Sequence, residues 1–176
     1  MIGCCANLGN QTLLKNAGFD FIEIKASELY NSCEEIIMNI YAINNLLPRT
    51  LNLFSNLGEI TKETEKVFES SKKANIKVIT FGSGTCRRVD FNNNAWESVW
   101  RKYLLYLNNS ANKYKIKTTI EPLAKEETNL VNTLEEALFY VKKGYCPISV
   151  AIRTKSPSIA HQIIIGGCSG AFLQLY

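Results

Sequence analysis

The residues with the most chemistry to offer are two carboxylates around an apolar run. Glu121 closes the segment IKTTIEP (116–122), and Glu127 follows six positions later, just before a helix-start signal. Glu23 stands in a second apolar run, FDFIEI (19–24). A carboxylate inside a buried strand is costly unless it is paired with a cation or binds a metal. Glu121 is therefore read either as a metal ligand or general base, or as one half of an ion pair with a nearby Lys or Arg. Glu23 has the same two readings.

Two further groups belong with them. Gly82-Ser83-Gly84 follows the apolar run IKVITF, and it is either a tight strand-to-helix turn or backbone that comes close to a substrate. Arg87 and Arg88 could clamp a phosphate or hydroxyls, or lie solvated. Cys4 and Cys5 read as filling and not as nucleophiles, because no histidine lies near them in sequence and a thiolate needs an electropositive neighbour.

Such residues need elements to hold them, and the chain alternates short apolar runs with stretches of helical period. Strands are predicted at 2–6, 19–24, 50–54, 76–84 (the strand with its glycine turn), 116–122 and 147–152. Helices are predicted at 10–18, 32–46, 61–75, 94–113 and 133–143. Helix 32–46 is assigned from a capping box, Ser32 to Glu35, and a stripe of Ile36, Ile40, Ile43 and Leu47; Thr133 and Glu136 form a second box. Strand–helix repeats of this kind imply parallel strands joined by crossover helices, hence an α/β fold. FGSGTCRR lacks the third glycine of a dinucleotide fingerprint, so a barrel is favoured over an open doubly wound sheet. The expectation is an incomplete (β/α)8 TIM barrel of about five to six parallel strands with outer helices, since 176 residues is short for a full one. The reactive face of such a fold lies at the carboxyl ends of its strands.

Bulk properties narrow the function classes. With 46% hydrophobic and 20% charged residues, the composition is that of an ordinary globular domain. A net charge of +4, with basic residues scattered among acidic ones, gives no stripe that tracks phosphates, so nucleic acid is not an expected partner. No run of about 18 apolar residues suggests a membrane span. The six cysteines show no C-x-x-C spacing and read as thiols of a reducing cytoplasm.

The segments IGCCAN, LLKNAGFDFIEI, FGSGTCRRVDFN and above all IEPLAKEETNLVNTLEEA resemble the xylose isomerase-like barrels. The likeness is to the sugar 3-epimerases of the tagatose and psicose type and to the hydroxypyruvate isomerases, and it runs from residue 2 to about 143. It implies that Glu121 is a metal ligand and one of two carboxylates that move a proton at a carbon beside a carbonyl. It implies that Glu127 contacts substrate hydroxyls; Glu23, Gly82, Ser83 and Arg87 complete the expected substrate-binding set. The implied cofactor is a divalent cation, Mn²⁺ or Mg²⁺ first and Co²⁺ or Zn²⁺ after them, and the implied partner is a small sugar or sugar phosphate.

The chain also departs from that family. Ala124 and Lys125 stand where its Asn and Arg are expected, which leaves the sugar open. The family's other metal ligands come from later strands, and here Arg153 or Thr154 occupies the position of the expected Asp, with no seventh or eighth strand foreseen. All 16 acidic residues lie within 1–136. Residues 1–145 are therefore expected to form a partial barrel, and 146–176 an atypical tail, replaced or frameshifted, in which the lone His161 makes a poor ligand. On this reading the metal is poorly held and turnover is impaired. The alternative is a non-catalytic barrel remnant or sugar-binding module, which binds a sugar loosely or becomes stable only by pairing its open strand edges with another chain; a homo-oligomer is one such pairing. An abasic-site endonuclease is set aside, because that chemistry needs many histidines and a basic groove.

Overall fold

The computed structural model describes residues 2–31 and 33–143, together with the backbone of two later strands. Its strands are β1 (Gly3–Cys5), β2 (Phe21–Lys25), β3 (Asn39–Asn44), β4 (Val78–Phe81), β5 (Lys117–Ile120), β6 (Ser149–Thr154) and β7 (Phe172–Leu175). Between them run α1 (Gln11–Asn16), α2 (Glu28–Asn31), α3 (Leu57–Lys73), α4 (Trp96–Tyr114) and α5 (Leu134–Lys142). Every strand pairs in parallel with the next in chain order, β1 through β7. That is the wall of a (β/α)8 barrel, left incomplete among the described residues. The expectation of no seventh strand is corrected, because Phe172–Leu175 pairs with β6. Ser32, Cys146, Cys168 and His161 lie outside the described residues. Among the described residues no helix is long and apolar enough to cross a membrane.

Two predicted elements are wrong. Residues 33–38 are not helical, and 39–44 form β3. The reason is tertiary: the Gln11 carboxamide accepts from the backbone N–H groups of Ile37 and Met38 (2.9 and 3.2 Å) and donates to the Glu35 carbonyl (2.9 Å). That side chain satisfies backbone groups a helix would have paired internally. The run NIYAIN then serves as a strand buried on both faces, as parallel strands are. The predicted strand 50–54 is instead a loop. Asn52 Oδ1 accepts from Phe54 N (2.9 Å) in a local turn, and Leu53 N donates to the Cys86 carbonyl (2.9 Å).

The helices that position the site match their patterns. Trp100, Tyr103, Leu104 and Leu107 of α4 are fully buried, and Phe81 of β4 packs on Trp100 and Tyr103 with ring centroids 5.8 and 5.3 Å away. Thr133 caps α5, accepting from Glu136 N at 3.2 Å.

Gly3 in β1 is covered by the ring of Phe21, its partner on β2, and a Cβ there would lie 2.0 Å from a ring carbon. Gly3→Ala is expected to destabilise the chain by about 1–3 kcal/mol through overpacking, read as a lower urea midpoint. Adding Phe21→Ala should remove the clash and make the two changes non-additive.

Tyr103 shares a hydrogen bond with Thr64 Oγ1 (2.9 Å), and burial pushes its phenol above the ordinary value. A group whose folded pKa exceeds its unfolded one stabilises the fold below the unfolded value, here about 10, and that contribution is lost as pH rises beyond it. Urea unfolding from pH 8 to 11 should therefore show stability falling, with a shallower fall in Tyr103→Phe.

Candidate active site

Strand alternation decides which side chains face the barrel interior. Phe81 points outward to α4, so Thr80 and Gly82 point inward; on β5 the same parity sends Thr119 and Glu121 inward, and Thr119 Oγ1 bonds Thr80 Oγ1 at 3.1 Å. Glu121 thus leaves the carboxyl end of β5 into the interior with 1% of its surface exposed. Gly82 makes room for it, since a Cβ at that position would stand 2.5 Å from Glu121 Oε2.

Arg87 is wholly buried in the turn after β4. Its Nη2 donates to the Glu121 carbonyl (2.9 Å), and its guanidinium lies 5.4 Å from the centre of the Phe81 ring. Nε and Nη1 have no hydrogen-bond partner among the described residues. Burial pulls its pKa down to about 10, opposed by the charges of Glu121 and Glu127, so it stays cationic at neutral pH. Of the two readings of Arg87, a solvated side chain is corrected, because the guanidinium is buried and bonds the backbone of Glu121.

Ser83 adopts left-handed backbone (φ 30°), and its hydroxyl accepts from Leu47 N at 3.0 Å. That bond ties the loop after β3 to the loop after β4. Gly84 brings the next loop against it, since a Cβ there would lie 3.0 Å from the Glu127 carbonyl. Asn129 strengthens the seam by donating to the Val89 carbonyl (2.8 Å) and accepting from Val89 N (2.9 Å). A cleft of about 240 Å³ opens along this seam, lined by Asn45, Arg49, Ser83, Gly84, Glu126 and Glu127 among others.

Glu23 is buried in the middle of β2, where its Oε1 accepts from Asn44 Nδ2 (2.8 Å); the same amide reaches Cys5 Sγ (3.0 Å). The structure therefore groups Gly82, Arg87 and Glu121 together, sets Ser83 and Glu127 on the adjoining cleft, and keeps Glu23 with Asn44 and Cys5. Asn44, Asn45 and Arg49 escaped the sequence reading because the misassigned helix hid the end of β3. Among the described residues no three His, Cys, Asp or Glu side chains could hold a metal ion together. The described residues do not fit a divalent cation by themselves.

No protein-family model and no curated protein sequence matches the chain. Solved structures do. A 3-keto-D-glucoside 4-epimerase from E. coli superposes with a TM-score of 0.74 at 15% identity, over 99% of this chain and 78% of that one. A D-psicose 3-epimerase solved in the presence of D-fructose gives 0.73 at 17%, over 99% and 73%. A family 2 AP endonuclease from Brucella melitensis gives 0.70 at 14%, over 99% and 78%. At such identities the likeness is one of fold.

Proposed function

We propose that this chain, which has the fold of the xylose isomerase-like TIM barrels, is a sugar isomerase or epimerase in which Glu121 moves a proton at a carbon beside a carbonyl. The observation that supports it is the seat of Glu121: a carboxylate buried at the carboxyl end of β5, where a side chain on Gly82 would displace it. A carboxylate held in one place is a group that general-base catalysis can use to take a carbon-bound proton. It takes the carbon-bound proton, the C–H bonding pair forms a carbon–carbon double bond to the carbonyl carbon, and the carbonyl π pair moves to the oxygen to give an enediolate. Return of a proton to the opposite face of that carbon is epimerisation; return to the neighbouring carbon is isomerisation. Glu127, on the adjoining cleft, is assigned to substrate hydroxyls, and Glu23 to the far end of the sugar.

One psicose epimerase structure was solved in the presence of D-fructose and another with D-tagatose, which makes ketoses the substrates to try first. The IolI protein, a further structural neighbour, binds a zinc atom. A divalent cation at Glu121 belongs to the same proposal, and it requires donors beyond the described residues. Low turnover goes with that requirement.

The test is incorporation of solvent deuterium next to the carbonyl of D-fructose, followed by NMR with Mn²⁺ and again with EDTA. Exchange by the wild-type chain that Glu121→Gln loses supports the proposal. Sugar binding without exchange under either condition would replace it with the non-catalytic binding module.

A further inference from the structure

The two turns that lead into β4 and β5 are built alike. In the first, α3 ends, Asn75 takes left-handed backbone (φ 59°), and Ile76 N donates back to the Ser71 carbonyl (2.9 Å). In the second, α4 ends, Lys115 takes the same backbone (φ 57°), and Ile116 N donates to the Ala111 carbonyl (3.0 Å). Each is the closure that stops a helix with a left-handed residue and follows it with a buried apolar one. Lys77 and Lys117 come next, at the amino ends of the two strands. They lie side by side, because Lys117 N donates to the Lys77 carbonyl (3.0 Å).

This pairing gathers charge that is far apart in the chain. Residues 72–77 and 112–117 hold six lysines and no acidic residue, and all six lysines are exposed. The end of α5, which precedes β6 on the other side of β5, adds exposed Lys142 and Lys143. Lys113 pairs with Glu65, and Lys77 Nζ donates to Asn75 Oδ1. Lys72, Lys73, Lys115 and Lys117 make no ion pair among the described residues. A lysine in the last turn of a helix complements the helix dipole, which accounts for Lys72, Lys73 and Lys113. Lys77 and Lys117 stand past the helix ends, where that effect has fallen away.

We infer that this arc of lysines is a docking surface for the phosphate backbone of duplex nucleic acid. It lies at the amino ends of the strands whose carboxyl ends lead to Gly82 and Glu121, so it is separate from the candidate active site and does not rest on the proposed role of Glu121. Three features select the partner. Asp20 precedes β2 at the same end of the barrel, so the positive charge covers an arc and not the whole end; an arc suits a linear polyanion better than a membrane plane. Ile76 and Ile116 are only 2 and 3% exposed, so the turns offer nothing to insert into lipid. Tyr114 is turned back onto α3, with its hydroxyl on Glu65 (2.6 Å) and its ring on Phe68 (centroids 5.7 Å apart), which leaves these turns no aromatic face for an unpaired base to stack on. Phosphates are then the groups the arc can read, and a duplex presents one about every 1.7 Å. Binding is independent of base sequence and governed by salt. The expectation of no stripe that tracks phosphates is corrected, because strand pairing sets the two turns together.

The test is fluorescence anisotropy of a labelled DNA duplex of about 20 base pairs, titrated with the full chain in about 20 to 200 mM NaCl. Six phosphate contacts give an expected slope of log K against log salt near −5, at about −0.9 each. The Lys77→Gln, Lys115→Gln, Lys117→Gln variant should show a slope shallower by about 2–3. The Lys25→Gln, Lys62→Gln, Lys125→Gln variant has the same net charge and should keep the wild-type slope. All six positions are exposed, so both variants keep the fold. Binding weakened in the first variant alone supports the inference. Absent binding in about 20 mM NaCl, or equal weakening in the two variants, overturns it. Binding to phosphatidylserine vesicles with none to the duplex also overturns it and assigns the arc to a membrane surface.

Discussion

Glu121→Gln is expected to lower deuterium exchange at the carbon beside the carbonyl by about 10²–10⁴-fold, the usual contribution of a positioned general base. Glutamine matches glutamate in shape, so it fits the space that Gly82 leaves. What it lacks is the ability to take a proton. Glu121→Asp separates base chemistry from geometry, since it keeps the carboxylate and withdraws it by one methylene; it should retain more activity than the amide. Thermal unfolding of each variant distinguishes a lost base from a lost fold. Exchange by Glu121→Gln within about threefold of wild type would assign the base elsewhere.

The sequence made β5, its glutamate and the helices on either side legible for a physical reason. α4 carries a broad apolar face and α5 a capping box, and both signals are local. β3 was not legible, because Ile36, Ile40, Ile43 and Leu47 satisfy a helical period as well as the residues 39–44 satisfy a strand. The deciding contact was Gln11 on the backbone of 35–38, across more than twenty residues. That one error carried into the site: with β3 placed at 50–54, Asn44 could not be seen beside Glu23, nor Arg49 on the cleft with Glu127. Ser83 and Gly82 were found by type but not by task. Ser83 pins the β3 loop and Gly82 clears space for Glu121, and neither role can be read from a Gly-Ser-Gly run.

Arg87 offers the second large effect, and two opposing forces set its sign. Its burial disfavours the charged form, so exchanging it for a methionine of similar length relieves a desolvated cation and keeps packing against Phe81. The same exchange removes the Arg87 charge that acts on the buried Glu121 carboxylate and leaves its carbonyl without the Nη2 bond. Removing one member of a buried charged pair costs about 3–5 kcal/mol, whereas removing both is often neutral. Arg87→Met alone should therefore lose about 3 kcal/mol in urea unfolding at pH 7. Adding Glu121→Gln should restore most of it, because a neutral amide needs no counter-charge. The four proteins form a double-mutant cycle, and effects that add within about 0.5 kcal/mol would show that Arg87 and Glu121 do not act as a pair. A coupling of the expected sign makes Arg87 a positioning residue: it acts on the reaction through the charge and backbone of Glu121, which is how a fully buried arginine can matter to the site.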